Sequence, residues 1–269
     1  METDKLKKLV DLYGPLMDIV GPSGKRYIIR EQNGADDDLL SSNTLSKDAH
    51  NINIFVCSIV VWTDAFGGGK IDSDNIKGLL VKDKYFILFT SRIYSIGPII
   101  KFSYDWGKDN GGLVDYSEDL SDLLWDYSDL ENNPVPIDGD DNYNRFRMTA
   151  YESSFDPYKV LNFTTSSGKV CKIRMTDVEA ETILIKKGND ITRNDDLMAR
   201  GLEIMIDGAF TKVKNFKFFS KKDMIEVHHY VSQLEKPFFG FSEIENPKTN
   251  EVTIYPLIID PAFFFPLAI

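Results

Sequence analysis

The chain has 269 residues, enough for one large domain or two small ones, and a globular protein of this size buries roughly 75% of its unfolded surface. Its 42% hydrophobic residues, with 18 Phe and 12 Tyr, argue against disorder over the whole length. The 42 acidic against 31 basic residues leave a net charge of -11, which repels a phosphate backbone unless a basic patch is segregated on one face, so nucleic acid is not an expected partner.

The N-terminus, METDKLKKLVDLYGPLMDIV, places Leu6, Leu9, Leu12 and Leu16 at helical spacing between charges, which predicts an amphipathic helix and no signal peptide. The longest apolar runs fall short of a membrane span, and a soluble protein without membrane contact is expected. Gly21-Pro22-Ser23-Gly24 reads as a turn and Arg26–Arg30 as a strand, with Asn33-Gly34 breaking it. Asp36, Asp37 and Asp38 then suit the first turn of a helix, whose dipole they complement. Their consecutive placement suggests one shared solvated environment, which is unsuited to acid–base catalysis.

From 49 to 62 the pattern favours a buried helix. Gly67–Gly69 predicts a flexible loop, because Lys70 is followed by Ile71 and not by the Ser or Thr of a phosphate-binding loop. A helix is expected over Ile76–Ile96, stopped by Gly97-Pro98, and Ile99–Tyr104 should form a hairpin with Leu113–Tyr116. Asn132–Asn144, rich in Pro, Gly and Asp, is the expected linker. Asp138, Asp140 and Asn142 there have calcium-loop spacing, but Tyr143 and Thr149 stand where the loop needs Gly and Glu, which leaves a solvated acidic loop as the better reading.

The second half reads as strands over 146–151, 160–165 and 170–175. Helices are expected over 177–187, 194–206 and 223–234, with Asp177 and Asn194 as N-caps, and a last strand over 252–259. The fold class is therefore α+β: two mixed subdomains, 1–131 and 145–269, each with short antiparallel strands packed on helices. Sliding the chain on itself sets Ser23, Gly24, Lys25, Ile29 and Arg30 over Ser167, Gly168, Lys169, Ile173 and Arg174, so the halves could be related modules.

Catalytic signatures are sparse. His50 stands apart, and His228 and His229 are neighbours on a helix, about 100° apart and poorly placed to share a metal. Cys57 and Cys171 lack metal or redox spacing and read as buried free thiols. No catalytic residue, metal or cofactor is expected; a hydrolytic enzyme using acidic residues is the remote alternative. Association fits better: Phe263, Phe264, Phe265 and Pro266 either insert into the core or pack on a partner, and they are the candidate interface.

Two stretches, REQNGADDDLLSS and KDKYFILFTSRIYSIG, resemble a phage tail family related to the T-even baseplate hub assembly proteins. Arg30, Glu31, Gly34, Ala35, Asp36 and Asp37 match its first block, and Asp83, Arg92, Ser95 and Gly97 its second. Lys84 and Ile87 depart from the pattern, and Tyr104-Asp105-Trp106-Gly107 replaces the cysteine pair of many relatives, so any metal knuckle formed by those cysteines is absent. The resemblance implies a non-enzymatic virion tail or baseplate hub protein, or a transient assembly chaperone. It would bind other tail proteins in a hetero-oligomer, in the host cytoplasm during assembly and in the tail if retained. Arg30 and Glu31 are expected to fix a strand–helix corner through charge-assisted hydrogen bonds.

Overall fold

The computed structural model describes residues 3–42, 44–46, 50–120, 135–136, 143–147, 161–234, 241–257, 259 and 261–265. The architecture is α+β, with several small sheets carrying helices. Helix α1 (Thr3–Tyr13) leads into β1 (Leu16–Val20), β2 (Arg26–Arg30), α2 (Gly34–Ser41), α3 (His50–Ile59) and β3 (Val60–Thr63). The three strands pair antiparallel in the order β3-β2-β1. Both faces of this sheet are covered, so its strands read as nearly unbroken apolar runs. Met17, Ile19, Tyr27 and Ile29 face the main core, while Leu16, Ile28, Val61 and Trp62 lie under α1. On α1 the stripe is Leu6, Leu9, Val10 and Tyr13; Leu12, expected on it, is 70% exposed, and Leu16 belongs to β1.

The segment 49–62, expected to be one helix, is helix to Ile59 and strand from Val60, where Val-Val-Trp-Thr suits a pleated, buried position. Helix α4 (Val81–Ser95) starts later than expected, after a 3-10 turn at Asn75–Gly78, and ends at Gly97, whose φ of 115° only glycine adopts readily. It places Phe86, Ile87, Leu88 and Phe89 in the main core. The expected hairpin is present as β4 (Ile99–Asp105) and β5 (Leu113–Asp119). Within the expected linker and beyond it, β6 (Val135–Pro136) and β7 (Tyr143–Arg147) extend the first sheet, and β7 runs parallel to β1. The calcium-like Asp138, Asp140 and Asn142 lie outside the described residues.

The second half repeats this plan. Strands β8 (Leu161–Thr164) and β9 (Val170–Ile173), helices α5 (Val178–Lys187) and α6 (Arg193–Ala199), and strands β10 (Glu203–Ile206) and β11 (Ala209–Lys212) follow in turn. Helix α7 (Lys221–Leu234) and the hairpin β12 (Phe241–Glu245) with β13 (Val252–Pro256) complete it. The order β10-β9-β8 matches β3-β2-β1, and β8–β9 has the register of β1–β2 once positions are displaced as Ser23 is to Ser167. The same backbone bonds close both turns: Gly24 N donates to the Gly21 carbonyl and Gly168 N to that of Thr165, while Gly21 N and Thr165 N donate to Lys25 and Lys169. Under this displacement the N-cap Asn33 falls on the N-cap Asp177.

Helix α6 is shorter than the expected 194–206 and is capped by Thr192, not Asn194. The Asp195 carboxylate reaches back to the Thr192 N–H at 2.7 Å, and Gly201 at φ 68° releases the chain into β10. The halves join where Val81 N donates to the Thr176 carbonyl and Val178 N to that of Leu79, beside a buried Lys84–Glu181 ion pair at 2.5 Å. The two hairpins also meet, with Phe102 stacked on Tyr255 at 4.4 Å.

Candidate functional site

The first resemblance block forms a strand–helix corner. Arg30, the last residue of β2, extends a planar fork of donors, and Asp36 in the first turn of α2 presents two oxygens to it, at 2.7 and 2.8 Å. Ser58 of α3 accepts from Arg30 at 2.6 Å and donates to Asp36 at 2.9 Å. Asp36 also accepts from Asn33 N at 2.9 Å while the Asn33 side chain accepts from Ala35 N, so one carboxylate caps the helix and holds the strand end. Burial alone would raise the Asp36 pKa, but the bonds from Arg30, the Asn33 backbone and Ser58 outweigh it and hold the carboxyl below its ordinary value.

Two expectations are corrected here. The three aspartates do not share one solvated environment, because Asp36 is fully buried while Asp37 and Asp38 are exposed on the outer side of the helix. Of the two residues expected to fix the corner, Arg30 does so through Asp36, while the exposed Glu31 supplies only its backbone carbonyl, at 2.8 Å. Gly34 has ordinary backbone geometry, and an added Cβ there would meet nothing.

The second block ties α4 at both ends. Near its start, buried Asp83 accepts from Ser23 N at 3.0 Å, from the Ser23 hydroxyl, and from the Tyr27 hydroxyl at 2.5 Å. The chain passes so close at Gly21 that a Cβ would lie 2.8 Å from Asp83 Oδ1 and 3.0 Å from the Tyr27 ring. Near its end, Arg92 donates to three carbonyls: Phe263 at 2.9 Å, Ile99 at 3.1 Å, and Gly97. Ser95 accepts from Gln32 N at 2.9 Å, and Ser91 from the Gln32 side chain at 3.2 Å, so the two blocks touch.

The C-terminal phenylalanines require a further correction. Phe263 and Phe264, offered as a partner interface, are 4% and 2% exposed in the main core. Phe263 lies 5.2 Å from the Phe89 ring and Phe264 4.9 Å from that of Phe55. Phe265 packs partly buried beside them, and Pro266 lies outside the described residues. Of the two alternatives posed by three consecutive aromatics, the chain takes insertion into itself, fixed by the Arg92 bond to the Phe263 carbonyl.

Two concavities flank these ties. A cleft of about 470 Å³ is lined by Tyr13, Arg30, Gln32, Asn33, Ser58 and Lys70 among others. A groove of about 680 Å³ runs between α3 and α5, with His50, Asn53 and Cys57 on one side and Glu179, Thr182 and Lys186 on the other. Burial, with Asp72 nearby, raises the Cys57 pKa to about 11, so the thiol is protonated at neutral pH and a poor nucleophile. Cys171 is buried and free and is raised to about 11 chiefly by burial. Among the described residues no group of three or more His, Cys, Asp or Glu side chains could hold a metal ion, and no helix is long and apolar enough to cross a membrane.

Sequence reasoning missed the residues that complete these ties, namely Ser23, Tyr27, Gln32 and Ser58, and the ion pair of half-buried Arg26 with buried Asp18 across β1 and β2. The second half offered one signal: Ser167, the displaced counterpart of Ser23, donates to Asp223 in α7 as Ser23 does to Asp83 in α4. No protein-family model, curated protein or solved structure matches the chain.

Proposed function

We propose that this protein is a non-enzymatic structural or assembly protein of a phage tail baseplate hub, acting through contacts with other tail proteins. The observation that carries the reading is the contact of its two family-like stretches through Gln32, Ser91 and Ser95. Their charged residues Arg30, Asp36, Asp83 and Arg92 direct hydrogen bonds into the fold itself, a use suited to a framework that presents surfaces. In this reading the protein resides in the host cytoplasm during assembly and in the tail if it is retained. Mass spectrometry and antibody labelling of purified particles, beside an infected-cell lysate, test it. Fixed stoichiometry in the particle identifies a tail component, and presence only in lysate complexes with tail proteins identifies a transient assembly chaperone. Recovery from both without any tail protein attached would sink the proposal.

A further inference from the structure

The run Phe210–Lys222, FTKVKNFKFFSKK, carries five lysines and no carboxylate in a chain of net charge -11. Lys212, Lys214, Lys217, Lys221 and Lys222 are all exposed, on β11, the first turn of α7 and the segment between them. Of the acids in α7, buried Asp223 accepts from Ser167 and from Lys169 at 2.8 Å; Glu226, held below its ordinary pKa by bonds from the Ser166 hydroxyl and from Ser166 N at 2.6 Å, also feels the charge of Lys222, so one of the five lysines is partly offset. Phe218 stands 70% exposed among these lysines, and Ile225, one turn into α7, is 61% exposed. Large apolar side chains inside a charged rim have the composition of a protein-binding surface.

The internal repeat shows how the chain treats the corresponding face. Asp83 and Asp223 are each the third residue of their helix and each accept from the turn serine, which sets Tyr85 and Phe89 of α4 against Ile225 and His229 of α7. On α4 this face is closed by polypeptide. Glu181 accepts from Lys84 and, at 3.1 Å, from the Tyr85 hydroxyl, and Phe263 packs on Phe89. On α7 both Ile225 and His229 are exposed. The groups that close the α4 face come from two separate segments, Glu181 of α5 and Phe263 near the C-terminus, and on α7 Met224 and Ile225 stand where Lys84 and Tyr85 hold that carboxylate, so the charge of an occupant of the α7 face is set by the lysine rim.

We propose that the open α7 face, Phe218 and Ile225 rimmed by Lys214, Lys217, Lys221 and Lys222, is a docking surface for an acidic, apolar polypeptide segment of a partner protein. The lysine rim draws the acidic segment in and makes its capture salt-sensitive; the two apolar side chains supply the desolvated centre. The surface stands apart from the tail-protein reading, since it depends on no family resemblance.

The test uses the full chain and a fluorescent peptide of the required composition, LSDLLWDYSDLE, which is residues 120–131 of this chain, read by anisotropy. Saturable binding is expected at about 50 mM salt, weakened about tenfold or more at about 300 mM. The pair Lys221→Glu and Lys222→Glu should weaken it about tenfold or more and Phe218→Ala about fivefold, with circular dichroism melts unchanged because these side chains are exposed. Failure of the peptide to bind either the wild type or a chain carrying Asp122→Asn, Asp126→Asn and Asp129→Asn overturns the proposal. Binding only to that variant assigns the face to the chain's own acidic segment and also overturns it. So does tighter binding of an oligothymidine strand that the lysine reversals abolish, or a concentration-dependent dimer in sedimentation that they abolish.

Discussion

Replacing Arg30 by Ala tests whether the first resemblance block is a structural brace. The substitution removes both bonds to Asp36 and the bond to Ser58. It leaves a carboxylate with no exposed surface facing only Ser58, Asn33 N and whatever water enters. Breaking a buried pair from one side costs about 3–5 kcal/mol, most of it the price of an uncompensated charge. The cleft beside Arg30 gives water a path to that charge, which sets the expected loss near the lower end, about 3 kcal/mol. For a chain of this size that lowers the melting temperature by roughly 6–12 °C. Urea denaturation followed by circular dichroism measures it, and a double-mutant cycle of Arg30→Ala with Asp36→Leu separates the pair from the stranded charge: the two together should cost less than the sum of the two single changes. A loss below about 0.5 kcal/mol for Arg30→Ala, the range of ordinary surface substitutions, would refute the reasoning.

Phe263→Ala should cost about 3–5 kcal/mol by removing a core side chain and leaving a cavity between Phe89 and Phe264; an unchanged urea midpoint would return the tail to the role of a partner interface. Gly21→Ala should cost about 1–3 kcal/mol through the clash with Asp83 and Tyr27, and combined with Tyr27→Leu the two changes should cost less than the sum of their separate losses in the same measurement. Acid should weaken the fold in a defined direction. Asp36 lies below its ordinary pKa, and Asp195 is held at about 2, chiefly by its bond from Lys187. A carboxyl depressed in the folded state stabilises fully above its unfolded value, and that contribution is lost as pH falls from about 4 toward about 2. Asp177, raised chiefly by burial, works in the opposite sense, since its protonation on acidification relieves a cost. Urea midpoints should therefore fall from pH 5 to pH 2, and a flat profile would contradict the Asp36 and Asp195 environments.

The local elements were legible wherever a nearest-neighbour rule decided them. Gly97 stopping α4, Asp177 capping α5, the hairpin after Pro98 and the Ser-Gly-Lys turns are settled within a few residues, because backbone donors and left-handed positions are satisfied locally. The internal echo was visible for the same reason: turn chemistry repeats in sequence when a turn repeats in space. Segments whose form depends on distant neighbours were misread. Val60–Thr63 becomes a strand because β2 supplies its ladder, and 203–206 because β9 and β11 do. Leu12 lies outside the buried stripe of α1 because a periodic stripe does not say which of two adjacent faces a sheet will cover, and Asp36 is buried because Arg30 and Ser58 converge on it from other elements.

Composition and spacing by themselves determined an α+β chain with turns and helix starts at definite residues, and raised the question of two like halves. Only the tertiary structure decided what the charged and aromatic residues do. Burial of Asp36 and Asp83 depends on Arg30, Ser58, Ser23 and Tyr27 arriving from other elements. The fate of Phe263 and Phe264 depends on a space left between α3 and α4 and on Arg92 reaching their backbone. A carboxylate or a phenylalanine carries the same chemistry in water and in a core. Which of the two surrounds it is set by residues far away in sequence, because packing is a property of the whole folded chain.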